Sequence, residues 1–217
     1  MTSAAALLLA DSRTPSGSYA HSAGLEAAVR AGIRADGVPA FLRGRLRSVA
    51  FSDAGLTAAA VRAGDDRPRL DVLDAEALAR TPSPVLRAVA STLGRQLLRT
   101  GAQLFPHSAT IAAYRTRSAA TPRPVALGVV CGAAGLTPED AALVSLHDDA
   151  ATVAAAAVKL LPVDAGDASG WVARLGAELE ALARQAAGAP ELPSASAPLI
   201  ELRSLVHAAR EGRLFAS

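Results

Sequence analysis

Serine, tyrosine and histidine stand together near the start of the chain, in the stretch SRTPSGSYAHSAGLE at positions 12–26. Ser18, His21 and Ser22 are residue types that a serine hydrolase uses, because a histidine can take the proton of an attacking hydroxyl. Such a serine usually stands on a sharp turn after a strand, and no strand pattern precedes this stretch. Helix capping by Ser22, after a chain turn at Gly17, is the simpler interpretation, and a hydrolase site stays an open alternative.

Phosphate and metal chemistry find less support in the residues. The stretch lacks the Gly-Lys-Ser/Thr ending of a phosphate-binding loop and contains no lysine. The histidines are far apart in sequence, at His21, His107, His147 and His207. There is no CxxC, HxH or HExxH pattern, and the aspartates of HDD (147–149) are more simply helix caps than ligands. We predict no metal ligands and no tightly bound cofactor, with a weak site or one shared between subunits as the open alternative.

Three arginines accompany the most regular helical pattern of the chain, which begins at Pro84. Leucine and valine recur there at spacings of three and four, as on the buried side of an amphipathic helix. Arg87, Arg95 and Arg99 lie off that apolar stripe. They could form a recognition surface, but on these residues alone we favour the solvated side of a core helix.

Composition predicts a helical fold. Of 217 residues, 51% are hydrophobic and only 3% are aromatic. Alanine and leucine therefore carry the apolar content, which favours close-packed helices over sheets. The single cysteine, Cys131, cannot form an internal disulfide and is predicted to be a small buried residue.

Charge and hydropathy argue against two classes of partner. The net charge is +2 and no basic block is interleaved with aromatic residues, so we predict no nucleic-acid binding. The longest charge-free runs, such as 124–138, are shorter than the roughly 20 apolar residues of a membrane-spanning helix. No basic segment precedes the apolar residues near the start, as a signal peptide would require. We expect a cytoplasmic protein without a membrane partner.

Helical period and cap residues divide the chain into helices. The predicted helix starts are Ser22 (for 22–31), Asp53 as the cap of 54–63, Pro84, Pro138 with the cap Thr137, Asp148 or Asp149 as the cap of a further helix, and Ala168 (for 168–187). No segment has the clean alternation of a strand. We predict an all-α protein: a single helical bundle domain at 1–187, a proline- and serine-rich linker at 188–198, and a semi-detached C-terminal segment at 199–217.

The last residues, REGRLFAS, are unusually apolar for the end of a chain. Leu214 and Phe215 stand beside Arg210 and Arg213. Such an end either folds back on the bundle or docks on another protein. Arginine and aromatic residues are enriched in protein interfaces, so we favour docking.

Five motifs, in this order, resemble the urease accessory protein UreF family. They are LLLADSRTPSGSYAHSAGLEAAV (7–29), LGRQLLR (93–99), PVALGVVCGAAGL (124–136), AAAVKLLP (155–162) and RLFAS (213–217). The resemblance covers nearly the full length, and the first and last motifs are the most specific. The sequence departs from the family pattern at Gly17-Ser18, at 163–166 and at 207–212.

This resemblance implies an all-α homodimer without catalytic activity of its own, which helps to load nickel into apo-urease. The implied partners are the accessory protein UreD (UreH in some organisms), the GTPase UreG and apo-urease, with nickel in transit rather than tightly bound. The tail of the family tends to order when the UreD-type partner binds. The partner-binding residues that we predict on this basis are Tyr19, His21, Ser22, Gly24, Glu26, Arg95, Arg99, Arg213, Leu214 and Phe215.

Two other functions remain alternatives to this scaffold. A small helical hydrolase would use the 12–26 stretch, with Ser18 or Ser22 as the nucleophile. A direct nickel carrier would bind the metal through residues such as His21 or His207. The sequence contains too few grouped ligands to favour the carrier.

Overall fold

A computed structural model of the protein describes residues 4–11, 14, 21–116, 120–209 and 214–215. Its helices are α1 (Ala4–Ala10), α2 (Leu25–Arg30), α3 (Val38–Leu46), α4 (Val49–Ala63), α5 (Arg67–Ala79), α6 (Pro84–Leu104), α7 (Ala109–Arg115), α8 (Arg123–Ala133), α9 (Pro138–Leu160), α10 (Ala165–Arg174), α11 (Gly176–Gly188) and α12 (Pro198–Ala208), with a 3₁₀ turn at Ala35–Gly37. No strand occurs within these described ranges, and the all-α prediction is confirmed. The predicted sites at Tyr19 and Arg213 lie outside the described residues.

Two helix starts follow the local sequence signals. Ser83 Oγ accepts a hydrogen bond from the N–H of Leu86 at 3.4 Å, at the start of α6. Thr137 Oγ1 accepts one from the N–H of Asp140 at 3.1 Å, at the start of α9. Each side-chain oxygen satisfies one of the amide donors that a helix leaves free at its first turn. The predicted start at Pro84 and the predicted cap Thr137 are confirmed, whereas the cap Ser83 was not predicted.

Other predicted boundaries were wrong. Asp53 lies inside α4, and Asp148 and Asp149 lie in the middle of α9 rather than at a helix start. Their carboxyl groups face charged groups from other helices, so a tertiary contact replaces the capping role that the local sequence indicated. The predicted helix 168–187 is divided at Leu175 into α10 and α11.

Helices α4, α8 and α9 form the centre of the bundle. Helix α4 packs against both of the others, and each of the two buried apolar clusters includes residues from α4 and α9. The backbones approach closely: a Cβ atom on Gly128 of α8 would lie 2.4 Å from the carbonyl oxygen of Thr57 in α4. Cys131 is fully buried, as predicted, and burial raises the pKa of its thiol to about 12.

Helix α9 is the core helix of the bundle, with 23 residues. By length and composition alone it could cross a membrane, but 61% of the apolar stretch is buried inside the protein. Packing against α4, α10 and α11 therefore accounts for its apolar residues.

The proline- and serine-rich segment after α11 is bonded to the bundle. Ser52 Oγ of α4 donates a hydrogen bond to the carbonyl oxygen of Ala195 at 3.0 Å and accepts one from its N–H at 2.8 Å. Arg80 Nε, at the end of α5, donates to the carbonyl oxygen of Pro193 at 3.2 Å. The Pro193 ring occupies the space over Gly55, where a Cβ atom would lie 2.4 Å from it. Contacts from α4 and α5 thus fix the position of this connection.

Helix α12 packs on α2 and α6. Glu201 of α12 accepts a hydrogen bond from the N–H of Ser83 at 2.7 Å, and the hydroxyl groups of Ser83 and Ser204 are 2.7 Å apart. Both contacts are made to Ser83, the residue that caps α6. The C-terminal segment predicted to be semi-detached is therefore anchored to the bundle through this helix.

Candidate functional site

A tight turn directs helix α2 and its acidic residue toward the interior. Ala23 and Gly24 both have positive φ angles, 52° and 83°, a conformation that glycine adopts without the steric penalty of a side chain. The helix begins at Leu25, whereas we had predicted a start at Ser22. The buried Ser22 hydroxyl nevertheless accepts a hydrogen bond from the N–H of Glu26 at 3.2 Å, so the predicted bond to a first-turn amide is present.

The Glu26 carboxylate bonds the C-terminal tail. Its Oε1 accepts the N–H of Leu214 at 3.1 Å, and its Oε2 accepts the N–H of Phe215 at 2.9 Å. Oε1 also accepts a hydrogen bond from Arg30 on the next turn of α2, at 3.0 Å. Glu26 is only 1% exposed. A buried acidic side chain thus joins α2 to residues 188 and 189 positions further along the chain.

The hydrogen bonds to Glu26 keep its carboxyl group ionised. Burial on its own would raise the pKa, but the backbone N–H groups of Leu214 and Phe215, then Arg30 and the nearby His207, lower it below the usual value. A carboxylate that accepts several N–H bonds favours its charged form, because those bonds are stronger to the anion. The tail amides and the charge on Glu26 therefore stabilise each other.

The side chain of Phe215 folds back into the protein. It is 5% exposed, within the same apolar cluster as Leu25, and the Lys159 ammonium nitrogen lies 5.3 Å from the ring centroid. The buried His207 of α12 places Nε2 3.3 Å from the carbonyl oxygen of Phe215 and 3.7 Å from Glu26 Oε2. We favoured docking over fold-back for this end of the chain. For Phe215 the structure shows fold-back. Glu26 of α2 accepts its backbone N–H, and Lys159 of α9 and His207 of α12 lie close to this residue.

Helix α12 exposes apolar side chains on its outer side. The spacing of three and four places them on one side of the helix. They are Leu199, Leu202, Leu205 and Val206, which are exposed by 63, 60, 44 and 55%. Leu214, in the tail that is bonded beside α12, is 60% exposed. Arg30 and Arg203 line a recess that Val206 and His207 share. An apolar surface with a basic rim therefore adjoins the Glu26 site.

A second polar cluster lies around His21. Arg45 of α3 donates to both carboxylate oxygens of Asp149, at 3.1 and 2.5 Å, and Arg123 of α8 donates to Asp148 at 2.7 Å. These residues line a cavity of about 170 Å³. Burial, and then the charge of Arg123, lowers the pKa of His21. The neutral imidazole is thereby favoured.

Asp53 of α4 faces the same cluster. Burial, and then the negative charge of Asp149, raises its pKa to about 7, against the attraction of Arg45 and Arg123. Arg45 and Arg123 were not among the predicted site residues. The one feature of the sequence that pointed to this cluster was the adjacent pair Asp148-Asp149, which we had interpreted as a helix cap.

Arg95 and Arg99 lie on the exposed side of α6, and Arg95 donates to Thr92 of its own helix at 3.1 Å. Among the described residues, no hydrogen bond or ion pair joins either arginine to Glu26 or to the tail. The structure therefore brings Ser22, Gly24, Glu26, Leu214 and Phe215 together, places His21 at the neighbouring cavity, and leaves the two arginines apart.

The described residues do not support a hydrolase site at Ser22 or a cluster of metal ligands. Ser22 is completely buried and its hydroxyl accepts a backbone N–H, which is unsuited to a nucleophile that must meet a substrate. Ser18 lies outside the described residues. Over residues 4–11, 14, 21–116, 120–209 and 214–215, no three His, Cys, Asp or Glu side chains are grouped as metal ligands.

The fold and the site define an all-α protein in which the backbone N–H groups of Leu214 and Phe215, near the C-terminus, are hydrogen-bonded to Glu26 of helix α2. The family model described as UreF matches residues 33–176. Proteins named urease accessory protein UreF are similar over their whole length: 39% identity over 221 residues in Mycobacterium marinum and 37% over 220 residues in Mycolicibacterium vanbaalenii, with all of each chain covered, and 37% over 213 residues in Mycobacterium sp. (strain JLS), with 97% of each chain covered. The chain belongs to the UreF family of urease accessory proteins.

Proposed function

We propose that this chain is a non-catalytic scaffold in urease maturation. It binds a UreD/UreH-type accessory protein, recruits a UreG-type GTPase, and works as a homodimer on apo-urease in the cytoplasm. The nickel ion passes through the assembly and is not held by this chain as a cofactor. The observation that carries the proposal is the full-length similarity to proteins named urease accessory protein UreF.

The surface of α12 supports a docking role. Proteins that act alone rarely expose large contiguous apolar patches, and such patches with a polar rim commonly mark contact sites. Leu202 is 60% exposed and lies among the other exposed apolar side chains of α12, and Arg203 stands beside it. We assign this surface to the UreD-type partner and expect the partner to present apolar residues with an acidic rim.

Co-expression with the two partners from the same genome tests the scaffold. Size-exclusion chromatography with light scattering should give a complex that holds two copies of this chain. Leu202→Asp should weaken co-elution of the UreD-type partner at least about tenfold in affinity, because it places an unpaired charge in an apolar contact. Val72→Asp, at a 48% exposed apolar residue of α5, is the matched control. Loss of the complex in both variants, or in neither, would contradict the assignment to α12.

Arg213→Ala tests recruitment of the GTPase. We propose that Arg213, with Tyr19, completes the GTPase-binding surface once the UreD-type partner is bound. The variant should retain the wild-type helical circular dichroism and the UreD-type partner, and should retain less of the GTPase in pull-down experiments. Recovery of the GTPase at the wild-type level would overturn this role of Arg213.

A further inference from the structure

The turn of residues 22–25 contains an alanine at a position that favours glycine or asparagine. Ala23 and Gly24 are its central residues, with φ angles of 52° and 83°. The N–H of Leu25 closes the turn on the carbonyl oxygen of Ser22 at 3.0 Å. Positive φ angles at both central positions suit Gly, Asn and Asp, whereas the Cβ atom of alanine disfavours them. Such a conformation persists only where the surrounding structure enforces it, so contacts from outside must stabilise the 22–25 turn.

Arg45 of α3 supplies such a contact. Its Nη1 donates a hydrogen bond to the carbonyl oxygen of Ala23 at 2.8 Å. Its Nε and Nη2 donate to the two carboxylate oxygens of Asp149 in α9, at 3.1 and 2.5 Å. Because the guanidinium group is planar and rigid, the two bonds to Asp149 fix the direction in which Nη1 points. Asp149 therefore orients Arg45, and Arg45 holds Ala23.

A second arginine of the same cluster acts on the residue before the turn. Arg123 of α8 donates to Asp148, the neighbour of the aspartate that orients Arg45, at 2.7 Å. His21 lines the same cavity as Arg123, and burial, followed by the charge of Arg123, lowers the pKa of its imidazole. Two ion pairs of α9 thus border the end of the 12–26 stretch, in addition to its own helix signals.

We propose that Arg45 is a positioning residue for recruitment of the GTPase. It holds the 22–25 turn in the observed conformation and thereby fixes one end of the stretch that contains Tyr19, which precedes Ala23 by four positions in the sequence. Arg45 is only 7% exposed, so it acts through the turn and not by contact with the partner. The link to recruitment rests on the proposed function, whereas the hold on the turn does not.

The double variant Arg45→Met/Asp149→Leu separates positioning from stability. An apolar pair can replace a buried ion pair at little cost to the fold, but the methionine side chain cannot donate to the carbonyl oxygen of Ala23. If Arg45 only stabilised the fold, this variant would behave as wild type. Since it positions the turn, the variant should be folded and the turn should open more often.

Amide hydrogen exchange of the isolated protein measures the turn. The N–H groups of Leu25 and Glu26 donate to the carbonyl oxygen and to the hydroxyl of Ser22, at 3.0 and 3.2 Å, so their protection reports whether the turn is closed. In the double variant both amides should exchange at least about tenfold faster than in wild type, while the amides of α9 keep their protection. Wild-type protection of Leu25 and Glu26 in the double variant would overturn the proposal.

Glycine at position 23 tests whether Arg45 opposes backbone strain. Ala23→Gly, added to the double variant, removes the side chain that disfavours a positive φ and should restore most of the lost protection. No recovery would contradict the proposed hold on a strained turn. Arg47→Gln/Glu178→Gln, which removes an exposed ion pair, is the matched control and should exchange as wild type does.

A second variant guards against a double variant that does not fold. Ala23→Val leaves Arg45 and Asp149 in place and puts a β-branched side chain at a positive φ, where such residues are outliers. The amides of Leu25 and Glu26 should again exchange faster. Wild-type protection in Ala23→Val would overturn the proposal, because the turn would then be independent of strain at residue 23.

Binding of the UreG-type GTPase to the complex of this chain with the UreD-type partner measures recruitment. The double variant should keep the UreD-type partner and bind the GTPase about tenfold more weakly if its turn is closed about one-tenth of the time. Ala23→Gly should restore the affinity. Wild-type affinity in a variant whose turn exchanges faster would overturn the link to recruitment. If the wild-type complex binds no GTPase, the proposed function fails, and the exchange experiment still decides the hold on the turn.

Discussion

Arg45 on α3 and Asp149 in the middle of α9 form a two-contact ion pair although they are 104 positions apart in the chain. Arg45 also donates to the carbonyl oxygen of Ala23 at 2.8 Å, in the turn that precedes α2. One guanidinium group thus connects α3, α9 and the turn that orients Glu26. The position of Glu26 therefore depends on this buried pair as well as on local helix signals.

We predict that Arg45→Met destabilises the protein by about 3 kcal/mol or more, because removal of one partner leaves a buried charge unpaired. The double variant Arg45→Met/Asp149→Leu should recover much of that loss, since apolar pairs can replace buried ion pairs. Unfolding in urea measures both free energies. Arg47→Gln, at the exposed ion pair with Glu178, should change stability by less than about 1 kcal/mol. Equal effects at the two arginines would refute the distinction.

Asp53→Asn should change the dependence of stability on pH. The pKa of Asp53 is raised to about 7 in the folded protein, so the unfolded chain releases this proton at lower pH. Stability should fall as pH rises from about 4 to about 7 and should stay reduced above it. At pH 8, Asp53→Asn should therefore be more stable than wild type, by on the order of 1 to 3 kcal/mol.

Thermal unfolding across this pH range gives the measurement for Asp53. Asp36→Asn, at an exposed position in the 3₁₀ turn, is the control and should follow wild type. Asp74, whose pKa burial also raises to about 7, should leave part of the slope in the Asp53 variant. A wild-type slope that Asp53→Asn does not reduce would be incompatible with the prediction.

Gly94→Ala should destabilise the contact between α6 and the segment that leads into α8. A Cβ atom at Gly94 would lie 1.9 Å from the carbonyl oxygen of Thr121, and such overpacking typically costs about 1 to 3 kcal/mol. Gly44→Ala is the matched control, because nothing lies within 4 Å of its Cβ position on α3. It should be neutral or stabilising by up to about 1 kcal/mol. Chemical denaturation compares the two, and a tolerated alanine at 94 would refute the close approach.

Local signals in the sequence were sufficient for some elements and misleading for others. Thr137 was predicted as a cap, and the amide that it bonds is only three residues away. Asp148 and Asp149 look equally like caps, but their partners stand 25 and 104 positions away. No pattern within a helical window contains that information. Asp53 failed as a predicted cap for the same reason.

The candidate site was predictable only in part. Glu26 and Phe215 were both named, through resemblance to a family, but nothing in the sequence indicated that one would bond the amide of the other. Backbone amides carry no residue identity, so a contact between a side chain and a distant main chain leaves no compositional trace. The fold-back of Phe215 became evident only when α2, α9 and α12 were seen to enclose it.

The close approach of small residues along α4 and α8 bears on how this protein should be mutagenised. Gly128 meets Thr57 and Ala60 directly, and the buried face of α4 includes Ala50, Ala54 and Ala58. Alanine scanning leaves such positions unchanged or adds one methyl group, so it samples the centre of the bundle poorly. Substitution by valine or leucine should instead destabilise the protein there, because the larger side chain would clash with the neighbouring helix. The profile of such a scan would follow backbone proximity, whereas profiles of most cores follow side-chain volume.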